Sequence, residues 1–179
     1  MNRKHVKRAE WCCMVFCAVC AGLGLNALVS WLSLDRLSDT YGQVRTAQYA
    51  VSVLQGVVKY GILAPVLEEL IFRGVVYRIC VRRIPWQAAA VVSAVLFAVY
   101  HGNMIQGCYA FVMGLLLGYV YHHFDTLAAP ILFHGAANLA VFLVSYSSDT
   151  IPQAMLPAVA IVGILAAGGL LAGLRHFHS

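Results

Sequence analysis

The chain has 179 residues, 61% of them hydrophobic and only 11% charged, with a mean hydropathy of +0.79, which excludes an ordinary soluble domain and marks a polytopic membrane protein. Its apolar residues fall in blocks of roughly 20, the length a helix needs to cross about 30 Å of hydrocarbon, and not in the alternating ~10-residue segments of an outer-membrane barrel. The net charge of +5 gathers at the ends of those blocks, where it reports orientation and contact with the lipid bilayer, and no nucleic-acid signal accompanies it.

Arg3, Lys4, His5, Lys7 and Arg8 precede an apolar run from Trp11 to about Leu34. The basic start is like that of a signal peptide, but the run is longer than an h-region of about 7–15 residues and lacks a small-residue cleavage site. A retained first helix is the expectation. Cys12, Cys13, Cys17 and Cys20 lie within it, the last three at spacings that share a helix face. Cys17 and Cys20 fit a C-x-x-C pattern, yet no partner pair or soluble βαβ context supports zinc or redox chemistry, so they read as small packing residues. Cys80 and Cys108 are isolated.

Asp35 to Arg45 is polar and reads as a loop. Positions 47–81 then form one long helical stretch that holds Lys59, Glu68, Glu69, Arg73 and Arg78, with Gly61 and Pro65 placed to bend it before the acidic pair. Arg82, Arg83 and Pro85 end that element, and Trp86 to about Asn103 is the next span. Gln106 to about His123 follows, with Gly107, Gly114 and Gly118 available for close helix packing. A link at 122–125 leads to a span from Thr126 to about Tyr146, a turn at 147–152, and a last span to about Leu174.

The fold class expected is all-α: a polytopic transmembrane bundle of about six helices, forming one integral-membrane domain over 1–179 with its polar core at about 47–146. Counting Lys and Arg alternately, the amino terminus, the Arg82–Arg83 link, the His122 link and the carboxyl terminus fall on one side, and Arg36 and Arg45 on the other. The positive-inside bias puts both termini in the cytoplasm. His122, His123, His176 and His178 are then expected in a solvated role at cytoplasmic helix ends. Lys59, well inside a span, is expected to snorkel, to pair with a carboxylate or to line an entry path.

A charge in hydrocarbon is costly unless it is paired or faces a watery cavity, so Glu68, Glu69 and Arg73 within one apolar stretch call for a common reason. Positions four apart stack on one helix face, so Glu69 and Arg73 can pair, which leaves Glu68 on another face, free to look into the bundle. There, burial and a neighbouring cation together can tune it as a base. An ion-pair knot that braces a bent helix is the other reading. His101 stands late in the third span, and His134 and Asn138 lie four apart on one face of the fifth. Each separately fits interhelical hydrogen bonding. At about 1.5 Å per residue, Glu68 lies roughly 20 Å from the Arg82 end, His101 roughly 22 Å from Trp86 and His134 roughly 12 Å from Thr126, depths that allow a shared site.

In this arrangement the chain resembles the CAAX-protease and bacteriocin-processing membrane proteins (CPBP, or Abi), related to the type II CAAX prenyl endopeptidase. Its signatures E-E-x-x-x-R, F-x-x-x-H and H-x-x-x-N stand here in order as Glu68 to Arg73, Phe97 to His101, and His134 to Asn138. The resemblance implies an intramembrane endopeptidase in which Glu68 is the general base, His101 helps to hold and polarise the attacking water, His134 and Asn138 donate to the oxyanion, and Glu69 and Arg73 are the ordering pair.

Family members have also been described as metalloproteases, and Glu68, His101 and His134 would make a His₂Glu zinc set. Against zinc, H-E-x-x-H is absent, and a carboxylate that ligates the ion could not also act as the base, so no metal or other cofactor is favoured. The substrate expected is a peptide or membrane protein near the bilayer, and the compact chain looks prokaryotic, where a prenylated substrate is not assumed. A non-catalytic relative that binds peptide or confers bacteriocin self-immunity is the alternative. A small transporter is the third reading, and the paired broken helices expected of one are not found.

Overall fold

The computed structural model describes residues 7–34, 38–147 and 151–176. They form seven helices and no strand: α1 (Arg8–Trp31), α2 (Asp39–Tyr49), α3 (Val53–Cys80), α4 (Trp86–Tyr100), α5 (Met104–Phe124), α6 (Ala128–Ser147) and α7 (Leu156–His176), the last preceded by a 3₁₀ turn at Gln153–Met155. An all-α membrane bundle is therefore the architecture. Arg3, Lys4, His5, Arg36 and His178, and positions 148–150 of the turn expected at 147–152, lie outside the described residues, as do the side chains of Arg175 and His176.

Each of the six expected spans has a counterpart, but two depart from a plain crossing. Four runs are long and apolar enough by themselves: Arg8–Trp31, Met104–Phe124, Ala128–Tyr146 and Gln153–Gly173. The second expected span is a bent pair, in which the chain turns by 118° between α2 and α3. The polar segment read as a loop up to Arg45 is thus helical from Asp39, because the Ser38 hydroxyl accepts from Tyr41 N at 3.3 Å and caps α2. The sharp bend sits at 50–52 and not at Gly61 or Pro65. Ser52 and Gln55 form a reciprocal capping box, Gln55 N to Ser52 Oγ at 3.3 Å and Ser52 N to Gln55 Oε1 at 3.1 Å, which starts a new helix there.

The third expected span is also shorter than the sequence suggested. α4 has 15 residues and ends at Tyr100, because Gly102 adopts φ +72° and Asn103 caps α5 through a 2.8 Å bond from Gln106 N. Asn103 belongs to the next helix, and His101 sits at the C-cap of α4 instead of inside it.

Helix contacts rest on small residues, as expected where lipid and side chain are equally apolar. A Cβ on Gly114 or Gly118 would lie 2.9 Å from Ala94 or Ala90, so α5 lies flush against α4. α1 runs antiparallel to α7: a Cβ on Gly163 would meet Gly24 Cα at 2.8 Å, and Cys17 Sγ lies 3.4 Å from Ala167 O. Among the first-span cysteines Cys17 is fully buried and Cys13 and Cys20 partly so, and all are free thiols.

One end of the bundle differs from expectation. His123 is buried, not solvated, and its Nε2 lies 3.0 Å from Glu10 Oε2, which is equally enclosed. Glu10 also accepts from Lys7 N at 2.9 Å, so the first turn of α1 is tied to the last turn of α5. His122 is exposed and stacks on Trp86 at 4.3 Å. The starts of α1 and α4 and the end of α5 therefore share one face of the bundle.

Candidate active site

The middle of α3 is an eight-residue α-helical stretch, Ala64–Ile71, set between two π-helical segments, Val57–Leu63 and Phe72–Tyr77. Wide π turns tend to occur at functional positions because they leave backbone groups unused. Here the reason is visible in the sequence. Ala64 N reaches back to Lys59 O, and the next residue, Pro65, has no N–H, so Tyr60 O lacks a donor from the following turn. Asn138 Nδ2 on α6 donates to that carbonyl at 3.1 Å. The bond fixes which end of the amide is which and leaves one N–H of Asn138 for another acceptor. Gly135 makes the approach feasible, since a Cβ there would lie 2.5 Å from Gly61 O.

Glu68 and Glu69 start from neighbouring positions and diverge. Glu69 is wholly enclosed, and its Oε1 accepts from Arg73 Nη1 at 3.0 Å and lies 3.0 Å from His134 Nδ1. Arg73, also wholly enclosed, donates through Nη2 to Gly114 O at 2.8 Å and lies over the Phe97 ring at 5.1 Å. Glu69 Oε2 and Arg73 Nε are buried and make no hydrogen bond among the described residues. Glu68 is the more open acid, with 16% of its side chain exposed, and its Oε2 lies 3.6 Å from His134 Nε2. His134 therefore stands between the two carboxylates, one ring nitrogen toward each.

Phe97 explains the first letter of its motif. Its carbonyl lies 2.8 Å from His101 Nδ1, and its ring meets His101 and His134 edge-on at 4.7 and 5.7 Å. Below the site, Ser93 Oγ donates to Phe72 O at 2.9 Å, joining α4 to the second π segment. Glu68, Glu69, Arg73 and His134 thus form one connected polar cluster between α3 and α6, with His101 across the Phe97 ring from His134 and Asn138 four positions along α6, on the Tyr60 carbonyl.

A model of the type II CAAX prenyl endopeptidase Rce1-like family matches residues 50–140, just over half of the chain. The chain belongs to the Rce1-like family. Matched residues run from the bend before α3 to two positions past Asn138, so all six polar residues fall inside the Rce1-like region. Membership places the chain among CAAX-type membrane peptidases, and with four helices long and apolar enough to cross a bilayer it is an integral membrane protein. No curated protein and no solved structure matches it.

Two imidazoles and a carboxylate are the donor types of a catalytic zinc site. Their placement is not that of one: among the described residues no group of three or more His, Cys, Asp or Glu is positioned to hold a metal ion. Lys59 is exposed, its Nζ 5.3 Å from the Tyr60 ring centre, and no ion pair of it with a carboxylate is seen among the described residues.

Sequence reasoning did not single out Tyr60, Gly135 or Ser93. Pro65 was the available signal for Tyr60, because a missing N–H always leaves a carbonyl to be satisfied elsewhere.

Proposed function

We propose that this Rce1-like protein is an intramembrane endopeptidase that hydrolyses a peptide bond of a membrane-associated or lipidated peptide or protein, using water activated by Glu68. The observation that carries the reading is the approach of Glu68 Oε2 and His134 Nε2 at 3.6 Å, from two helices, in an enclosed site. That separation is too long for a direct hydrogen bond and suits a bridging water. Glu68 takes a proton as the water oxygen bonds to the scissile carbonyl carbon, and the carbonyl π pair moves to oxygen. The remaining N–H of Asn138 is the donor for that oxyanion. Collapse breaks the C–N bond, and the proton held by Glu68 goes to the leaving amine.

Preorganised donors of this type are worth about 10²–10³ in rate each, and general-base catalysis about 10²–10⁴. His101 holds the water from the α4 side. His134, whose Nδ1 is engaged by Glu69, is read here as holding the water, where the family resemblance implies an oxyanion donor. No metal takes part in this reading.

Orientation follows from the basic face. Lys7, Arg8, Arg82 and Arg83 flank the starts of α1 and α4, on the face where α5 ends, and by the positive-inside bias that face, with both termini, is read as cytoplasmic; a prokaryotic cell membrane is the proposed location. The test is to compare the peptides released by membranes carrying wild-type protein with those carrying Glu68→Ala at equal expression. Products that disappear with Glu68 support the reading; identical product sets refute it.

A further inference from the structure

We propose that Glu69 is a positioning residue that locks His134 in its Nδ1–H form, so that the bare Nε2 of the ring and Glu68 Oε2 make a two-acceptor seat for the reacting water. The proposal rests on the endopeptidase reading and adds a role for Glu69 beyond its pairing with Arg73.

Hydrogen-bond roles alone force the tautomer. Glu69 Oε1 already accepts from Arg73 Nη1 at 3.0 Å, and a carboxylate paired with a guanidinium is an acceptor only. His134 Nδ1 lies 3.0 Å from that same oxygen, so Nδ1 must carry the hydrogen and donate it. In the neutral ring Nε2 then bears a lone pair. With Glu68 ionised, Nε2 and Glu68 Oε2 are then two acceptors 3.6 Å apart, and a water seated beside the pair can donate to both. Water has two protons, one for each. His101 repeats the pattern on the α4 side: its Nδ1 lies 2.8 Å from Phe97 O, a pure acceptor, so its bare nitrogen is also Nε2. Both imidazoles are thus held at Nδ1 by acceptors built into the fold, and in each neutral ring the other nitrogen takes protons.

The arrangement also accounts for Glu69 being wholly enclosed beside a more open Glu68. An orienting carboxylate acts only if it cannot wander or be solvated, whereas the base must reach substrate. In this it parallels the buried acid of the serine-protease triad, which fixes the tautomer of its histidine without taking the proton itself.

Glu69→Gln tests this. The amide keeps the shape but can turn its NH₂ toward Nδ1 and favour the opposite tautomer. ¹⁵N NMR of histidine-labelled protein in detergent micelles, with the His134 signals assigned by their loss in His134→Gln, reads the ring directly and needs no substrate. The wild type is expected to show a protonated Nδ1, and Glu69→Gln a shift toward Nε2–H. A wild-type ring with bare Nδ1 and Nε2–H overturns the proposal.

For the Glu68-dependent product peptides, kcat of Glu69→Gln is expected to fall about 10²–10⁴-fold with KM changed less than about threefold. Because that variant leaves Arg73 short of its partner, the double variant Glu69→Gln/Arg73→Met is made alongside. Thermal stability should recover in it and kcat should not. Recovery of kcat together with stability would mean that Glu69 serves only as the counterion of Arg73. If instead Glu68→Gln keeps full activity, the reading of Glu68 as the base fails, while the NMR result still decides the tautomer.

Discussion

Gly135→Ala is the sharpest probe of the way α3 and α6 meet. The added Cβ would sit 2.5 Å from Gly61 O, whereas an ordinary carbon–oxygen contact is about 3.4 Å. Neither partner is a flexible side chain, so the helices must part by roughly 0.9 Å at their crossing point. Overpacking of that size costs about 1–3 kcal/mol. The separation also lengthens the neighbouring Asn138 Nδ2 to Tyr60 O bond from 3.1 Å to about 4 Å, which is no longer a hydrogen bond. A half-buried amide and a carbonyl without a helix donor are then left unpaired, at a further cost of about 1–3 kcal/mol. The expected destabilisation is therefore about 2–6 kcal/mol, measured by thermal or denaturant unfolding in detergent. Activity should fall more than stability implies, since loss of one oxyanion donor alone removes about 10²–10³ in kcat. Single-turnover release of Glu68-dependent products from the folded fraction measures that loss. A Gly135→Ala protein with wild-type melting temperature and wild-type kcat would show that the crossing point neither is tight nor positions Asn138.

Three further outcomes are expected. Glu10→Leu removes the 3.0 Å contact to the buried His123 and should cost about 1–3 kcal/mol, while Glu10→Leu/His123→Leu should regain part of it; equal stability of all three proteins in denaturant titration would contradict the pairing. Exhaustive treatment of the membranes with 1,10-phenanthroline should leave the Glu68-dependent products unchanged, and their loss, restored by added zinc, would replace the metal-free mechanism with a zinc one. Cys12 and Cys108 are exposed near the starts of α1 and α5, at opposite ends of the bundle. In single-cysteine variants on intact cells, a membrane-impermeant maleimide should reach Cys108 and spare Cys12, and the reverse pattern would invert the orientation.

Local spacing made much of the polar site legible before any fold was known. Glu69 and Arg73 are four apart, and that spacing alone predicted their 3.0 Å contact. The glycines of α5 likewise announced close helix packing, and the helix they meet is α4. What escaped the sequence was of two kinds. Some signals were present and weighed wrongly: Gly102 and Asn103 together mark a helix end and a new cap, yet the apolar run through Tyr100 invited a longer span. Pro65 was read as a kink, although its physical effect is the loss of one N–H, and a π segment absorbs that loss without a sharp bend. The other kind has no local signature. Glu10 and His123 are 113 positions apart, and each alone looks like a solvated group at a membrane face. Only the packing of α1 beside α5 turns the two into a buried pair. The same holds for His134 and Glu69, 65 positions apart. Spacing proposed Glu69 as the partner of Arg73 and stopped there, because a carboxylate oxygen has lone pairs for two donors and sequence neighbours reveal just the first. The second comes from α6, and with it Glu69 changes from the end of an ion pair into the link between that pair and the histidine facing Glu68.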